Sequence, residues 1–331
     1  DSRAILYYEY HDNRSSNRQT LYYRVTLDGG HTWSDRNILI AGGATGMVHN
    51  LVMVYAGGKF YGFWNIQYRQ LWYSTSENGV EWTQPRDLTR MLWRAETPYP
   101  WNAFGVGSGH GICLSNGRIL LPTWFTTGGD SHKPSSFANI YSDDGFQTVQ
   151  IGAVLQDSPE TPIMNPNEGT VVELDNGDVL ATVRHDGAQR ERAFAVSAGG
   201  IGPWRELRFR SDLPDPICHA SMQRMRVNGH MRLLFCNCCN PDTGAQGRWE
   251  HHLSQYPWSE DARKNLTIRI SDDLGETFSQ GMQVAQKGGY SDLAVCGDQI
   301  LCIYETNWNE RDGCIYPRGI GLARIAASEL E

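Results

Sequence analysis

The sequence predicts an all-β fold, a six-bladed β-propeller built from four-stranded antiparallel blades. Two observations carry that expectation. The first is a recurring turn. Thr26-Leu27-Asp28-Gly29-Gly30-His31-Thr32-Trp33 and Ser271-Asp272-Asp273-Leu274-Gly275-Glu276-Thr277-Phe278 both read Ser/Thr-x-Asp-x-Gly-x-x-aromatic. Residues 75–82 repeat it with Glu77 at the Asp place, and degenerate copies begin at Ser142 and Ser197. Such a box closes on itself. The acid caps backbone amides, glycine takes the left-handed conformation, and the aromatic pins the turn to a sheet. One copy is weak evidence. Copies separated by about one four-stranded unit point to a propeller. The second observation is a repeated hairpin of apolar runs joined by Asn/Asp-Gly turns.

Taken in order, residues 3–10, 20–26 and 37–41 read as the second, third and fourth strands of an opening unit. The first strand of that unit is missing from the sequence. Residues 51–56 with 59–64 open the next unit, and 110–114 with 118–124 the third, around Ser115-Asn116-Gly117. In the fourth, the β-branched runs 170–174 and 179–183 flank Asp175-Asn176-Gly177-Asp178. Residues 220–227 and 231–236, around Asn228-Gly229, open the fifth. Residues 290–295 and 300–304, around Gly297-Asp298, open the last, and 319–325 supply its third strand. No long amphipathic helix, linker or low-complexity stretch interrupts the pattern. Residues 1–331 therefore read as a single propeller domain that lacks its first inner strand at the N-terminus.

The bulk numbers agree with a globular chain. Of 331 residues 40% are hydrophobic and 20% charged, enough for a large core. A net charge of -8 without a basic tract argues against general nucleic-acid binding. An anionic ligand then needs a local arginine cluster to hold it against the overall field. The eight cysteines fall mostly in apolar runs and read as free thiols; Cys296 and Cys302 flank one tight turn, close enough to face each other. The Cys-x-x-Cys spacing at 236–239 has no second pair, so zinc is not expected. No apolar run is long enough for a membrane span.

In a blade, strand one begins and strand two ends on the same face, where strand three also begins. The boxes lie on the opposite face. Glu168 starts a first strand and Arg184 ends a second. Arg263 precedes a third strand, Tyr290 starts a first, Glu305 ends a second, and Asp12 follows the second strand of the opening unit. All six fall on one face near the axis. A turn centred on Asn176-Gly177 pairs Glu168 near His185 and Arg184 near Gly169. Glu305 pairs across its own turn with Tyr290.

These marks resemble the exo-sialidase (neuraminidase) superfamily of bacterial and animal type. The likeness covers nearly the whole chain. It rests on the boxes, on Gly107-Ser108-Gly109-His110-Gly111-Ile112 followed by residues 116–122, on Asn167-Glu168-Gly169 with Arg184, on Arg263 before a strand, and on Tyr290-Ser291-Asp292-Leu293 with Glu305. The resemblance implies retaining hydrolysis of terminal sialic acid from glycoconjugates. Tyr290 is then the nucleophile, Glu168 its base, Asp12 the general acid, and Arg184 and Arg263 two clamps for the sugar carboxylate. A neutral tyrosine suits a substrate that carries a carboxylate on its anomeric carbon, and sialidases are known for that choice. A phenol of pKa about 10 needs a neighbouring carboxylate to take its proton. Geometry leaves Glu305 as a rival base; in the family it orients a clamp arginine.

The family's first clamp arginine sits in a Phe/Tyr-Arg-Ile-Pro stretch that has no counterpart here. No cofactor or metal is implied. The expected partners are sialylated glycans or another acidic sugar, and the expected location is secreted, cell-surface or periplasmic, with the cytoplasm left open. Two rival readings stand beside this one. A propeller lyase or glycosidase for uronates would use His49 or His110, and a non-catalytic glycan-binding module would bind without turnover.

Overall fold

The computed structural model describes residues 3–13, 18–41, 46–227, 229–241, 263–306, 309–311, 314–316 and 319–330. For residues 10–13, 18–19, 130, 309–311 and 314–316 the backbone alone is described. Six antiparallel sheets follow one another around an axis. Blade one is β1 (Ala4–Asn13), β2 (Arg18–Thr26) and β3 (Asn37–Ile40). Blade two is β4 (Val48–Ala56), β5 (Lys59–Ile66), β6 (Gln70–Ser76) and β7 (Arg86–Asp87). Blade three holds β8 (Ala103–Val106), β9 (Ile112–Cys113), β10 (Ile119–Thr126), β11 (Ser135–Ser142) and β12 (Gln150–Ile151). Blade four is β13 (Gly169–Glu173), β14 (Asp178–Val183), β15 (Glu191–Ala198) and β16 (Trp204–Pro214). Blade five is β17 (Ser221–Val227), β18 (His230–Cys238), β19 (Lys264–Ser271) and β20 (Met282–Lys287). Blade six is β21 (Ser291–Cys296), β22 (Gln299–Thr306) and β25 (Gly319–Ala326), with a hairpin, β23 (Asn309–Arg311) and β24 (Cys314–Tyr316), set between the last two.

The strands fall where the hairpin pattern puts them, with two differences. Strand β8 has no counterpart in the sequence reading. It pairs with the far end of β10, while β9 pairs with the near end, so Gly107 to Gly111 interrupts one inner strand. Strand β1 runs on to Asn13 and carries a bulge between His11 and Asn13, which places Asp12 inside the strand. In blade one β1 pairs only with β2, leaving its axial edge without a strand among the described residues.

The core is a set of wedges between blades, because each sheet is apolar on both faces. Val52 and Phe63 of blade two meet Leu121 and Phe125 of blade three. Phe137 meets Val171 and Val183; Val172 and Phe194 meet Met222 and Phe235; Ile268 and Cys236 meet Leu293 and Cys302. The seven described cysteines are free. Cys302 faces Cys236 across the blades, Sγ to Sγ 3.7 Å, and not Cys296, because the register sets Cys296 opposite Gln299. Blade six closes on blade one through Arg324, whose Nε donates to Gly29 O at 2.8 Å.

The boxes close as their composition requires. In the last, Ser271 Oγ donates to Asp273 Oδ1 at 2.8 Å, the Thr277 N–H donates to the same oxygen at 2.8 Å, and Thr277 Oγ1 donates to Oδ2 at 2.6 Å. Phe278 then packs on Phe235, ring centroids 5.5 Å apart. The box at 75–82 has a different register from the sequence reading. Asn78, not Glu77, accepts the Val80 and Glu81 N–H groups, at 2.9 and 2.8 Å, because the Ser76 hydroxyl sets the frame one residue later. Replacing Asp273 with Ala removes three hydrogen bonds at a partly solvated turn. It is expected to lower stability by about 1–2 kcal/mol, read as a shift in denaturation midpoint at unchanged slope.

Candidate active site

The site begins with the register of one hairpin. Asp175-Asn176-Gly177 form a three-residue turn closed by the Leu174 N–H on Asp178 O at 2.7 Å, with Gly177 at φ +82°. That shifts the pairing by one residue from a turn centred on Asn176-Gly177. Gly169 pairs with Val183, so Glu168 stands directly opposite Arg184 instead of near His185. Directly opposed residues project to the same face of a sheet. Arg184 Nη1 accordingly donates to Glu168 Oε2 at 2.6 Å.

Blade six delivers the third member by the same logic. Ser291 pairs with Tyr304, which sets Tyr290 against Glu305. The Glu305 N–H donates to Tyr290 O at 2.9 Å, and the Tyr290 N–H donates to Glu305 Oε2 at 2.9 Å. The phenol thereby reaches blade four. Tyr290 Oη donates to Glu168, 2.6 Å from each carboxylate oxygen, and accepts from Arg184 Nη1 at 2.7 Å. Arg263, just before β19, sets its guanidinium carbon 4.8 Å from the centre of the Tyr290 ring and donates to Glu305 Oε2 at 3.4 Å.

Five of the six residues singled out in the sequence therefore meet at one axial rim. The sixth, Asp12, lies on β1, and its side chain is outside the described residues. The reading also missed three contributors. Ser108 Oγ donates to Glu168 Oε1 at 3.3 Å. His219, just before β17, lies 5.4 Å from Tyr290 between ring centroids. Asp292 accepts from Ser221 Oγ at 2.9 Å and pairs with His110 Nδ1 at 2.8 Å. A cavity of about 1070 Å³ is lined in part by Glu9, Ser108, His110, His219, Tyr290 and Asp292.

Charge is divided so that Glu168 is ionised and the Tyr290 phenol is not. Burial pushes the Glu168 carboxyl up, but Arg184 and the Tyr290 hydroxyl outweigh it and hold the group below its ordinary value. Burial drives the Tyr290 phenol well above its ordinary value; Arg184 and Arg263 oppose this, and the Glu168 charge adds to it. Burial likewise raises Glu305 against the pull of Arg263. Of the two histidines weighed as alternative bases, His49 has both ring nitrogens engaged. Nδ1 lies 2.8 Å from Asn50 Oδ1, and Nε2 accepts the Tyr68 N–H at 3.2 Å. His110 is tied to Asp292, whose charge outweighs burial and raises it.

Residues 44–303 match the family model described as a BNR repeat-like domain. The chain is 31% identical to Sialidase-3 of Mus musculus over 293 residues, covering 76% of this chain and 68% of that protein. The chain belongs to the sialidase family. It is also 27% identical to the sialidase of Bacteroides fragilis, over 70% of this chain but 38% of that protein. The chain spans about half the length of the curated sialidases it matches. Among solved structures, Hadza microbial sialidase Hz136 superposes with a TM-score of 0.76 at 19% identity, covering 99% of this chain and 64% of that one. Trypanosoma rangeli sialidase in complex with sialic acid gives 0.71 at 18% identity, covering 99% and 52%. Both support the six-bladed propeller.

One buried group in this sialidase fold makes its stability pH-dependent. Burial lowers the His219 imidazole to about 4, with Glu168 and Asp292 pulling it up and Arg192 and Arg184 pushing it down. The unfolded chain binds a proton there below about 6.5, and the folded chain only below about 4. The unfolded state thus holds more protons within that window, and stability falls as pH drops through it. His219→Gln is expected to flatten that slope. Denaturation midpoints at pH 7 and pH 4.5 read it, and equal slopes in both proteins would contradict it.

Proposed function

We propose that this chain is the catalytic propeller of a retaining exo-sialidase, acting on sialylated glycans through a tyrosyl-enzyme intermediate. One observation carries the reading: the Tyr290 hydroxyl donates to an ionised Glu168 at 2.6 Å while Arg184 donates to the same phenol oxygen. A bare binding module has no need for a phenol hydrogen-bonded to a base.

Glu168 takes the Tyr290 proton as the phenol oxygen forms a bond to the anomeric carbon. The bond from that carbon to the leaving oxygen breaks, and an acid protonates the leaving group. Asp12 is proposed for that role on the family resemblance. Its carboxylate then takes a proton from water, which attacks the anomeric carbon. The bond to Tyr290 breaks, and Glu168 returns its proton to the phenolate. Two inversions give retention. Arg184 and Arg263 are proposed to grip the sugar carboxylate. Guanidinium groups suit it because they stay charged and bind bidentately. A neutral nucleophile avoids repulsion from that carboxylate.

The test is incubation with a 2,3-difluorinated sialic acid, which slows release of the covalent adduct. Digestion and mass spectrometry are expected to place the adduct on the peptide carrying Tyr290. Turnover of a sialoside with the adduct on a carboxylate, or with an inverted first product by NMR, rejects the mechanism.

A further inference from the structure

His219 lies two residues ahead of β17, the innermost strand of blade five, while Glu168 and Tyr290 each lie one residue ahead of the innermost strands of blades four and six. The chain on either side of it is pinned. Arg192, fully buried, donates from Nη1 to Cys218 O at 2.7 Å and to Asp215 Oδ2 at 3.1 Å. The Cys218 N–H donates to Asp215 Oδ1 at 3.0 Å. On the other side, Thr170 Oγ1 of blade four donates to Ala220 O at 3.1 Å. A buried ion pair costs much desolvation, and here it fixes the peptide that delivers one imidazole.

The ring itself is 1% exposed, and neither nitrogen has a hydrogen-bond partner among the described residues. Gly109, at φ +84°, makes room for it, since a Cβ there would stand 3.1 Å from His219 Nε2. The charged groups acting on the ring are Glu168 and Asp292 with Arg184 and Arg192. Polar atoms left unpaired in a buried site are costly, and they persist where function over-determines them.

We propose that His219 is a positioning residue for Tyr290 and Glu168: its imidazole holds the phenol ring in line with the carboxylate that takes the proton, and its polar edge steadies that carboxylate. The inference rests on the reading above, in which these two residues exchange a proton. A ring so little exposed offers substrate almost no surface, so its effect falls on the chemical step and not on binding. As a neutral imidazole it also avoids adding a second cation, next to Arg184, beside Glu168, which would weaken that group as a base.

The experiment compares wild type, His219→Leu and His219→Gln in hydrolysis of 4-methylumbelliferyl sialoside. The Leu variant fills the space without polar atoms; the Gln variant restores a donor and an acceptor. His219→Leu is expected to lose about 10- to 100-fold in kcat with KM within about threefold, and His219→Gln to recover most of the loss. An unchanged kcat in the Leu variant, a loss confined to KM, or no recovery with Gln overturns the inference. A second readout does not need turnover. In protein labelled with ¹³C-tyrosine, the Tyr290 Cζ resonance is assigned by its loss in Tyr290→Phe. It is expected to move in the Leu variant and return in the Gln variant. If wild type hydrolyses no sialoside, the functional reading fails by itself, and the resonance still decides the placement. Identical spectra in all three proteins reject it.

Discussion

Tyr290→Phe is expected to abolish sialoside hydrolysis, by about 10³-fold or more in kcat, while the fold stays intact. The substitution removes one oxygen. The ring keeps its contacts with Arg263 and His219, 4.8 and 5.4 Å between centres, and the backbone keeps both hydrogen bonds to Glu305. What is lost is the atom proposed to attack the anomeric carbon, along with its 2.6 Å bond to Glu168. Glu168→Gln is the companion experiment. The amide has the same shape but cannot take the phenol proton, and the expected loss is about 10²- to 10⁴-fold. Release of 4-methylumbelliferone, beside a far-ultraviolet spectrum of each variant, measures both. Full activity in Tyr290→Phe would mean that another group attacks, and the assignment of Glu168 as base would fall with it.

The largest expected effect on stability lies at Asp215. Arg192 is fully buried and Asp215 nearly so, and the guanidinium also donates from Nε to Thr182 Oγ1 at 3.0 Å. Asp215→Ala leaves a buried cation without its counter-charge and frees the Cys218 N–H. The expected cost is about 3–5 kcal/mol, seen as a lower denaturation midpoint. Replacing both residues, as Arg192→Leu with Asp215→Leu, removes the charge together with its partner and is expected to cost clearly less than the single change. A double variant as unstable as Asp215→Ala would mean that the backbone bonds to Cys218, not the buried charge, carry the effect. The pair sits next to His219, so the single variant also tests whether the axial rim depends on this anchor.

Much of the site could be read from the chain because β-structure has a period of two and hairpins have a register. Tyr290 opposite Glu305 follows from counting across one tight turn. Glu168 opposite Arg184 came out one residue wrong for a specific reason. Asp175-Asn176-Gly177-Asp178 admits a two- or a three-residue turn, and the difference is whether Leu174 or Asp175 closes it. The box at 75–82 slipped likewise, because Ser76 and Thr75 are equally good starting hydroxyls in sequence. Strand β8 was overlooked because Gly107-Ser108-Gly109 breaks its run before the pairing with β10 resumes.

His219 was illegible for another reason. Cys218-His219-Ala220 lies in an apolar stretch and shows no periodicity that separates a core histidine from a functional one. Its meaning depends on Tyr290 and Glu168, which belong to other blades. Local rules therefore determined the repeat, the hairpins, the face on which strand ends gather, and the membership of the Glu168, Arg184, Arg263, Tyr290 and Glu305 set. Only the closed ring decided that a phenol donates to a carboxylate 122 residues away, that His110 finds Asp292 at a separation of 182, and that Glu168 stays charged through its partners, against burial, while burial keeps Tyr290 neutral. Those contacts cross between blades, and burial is a property of the assembled axis, so no stretch of sequence encodes either by itself.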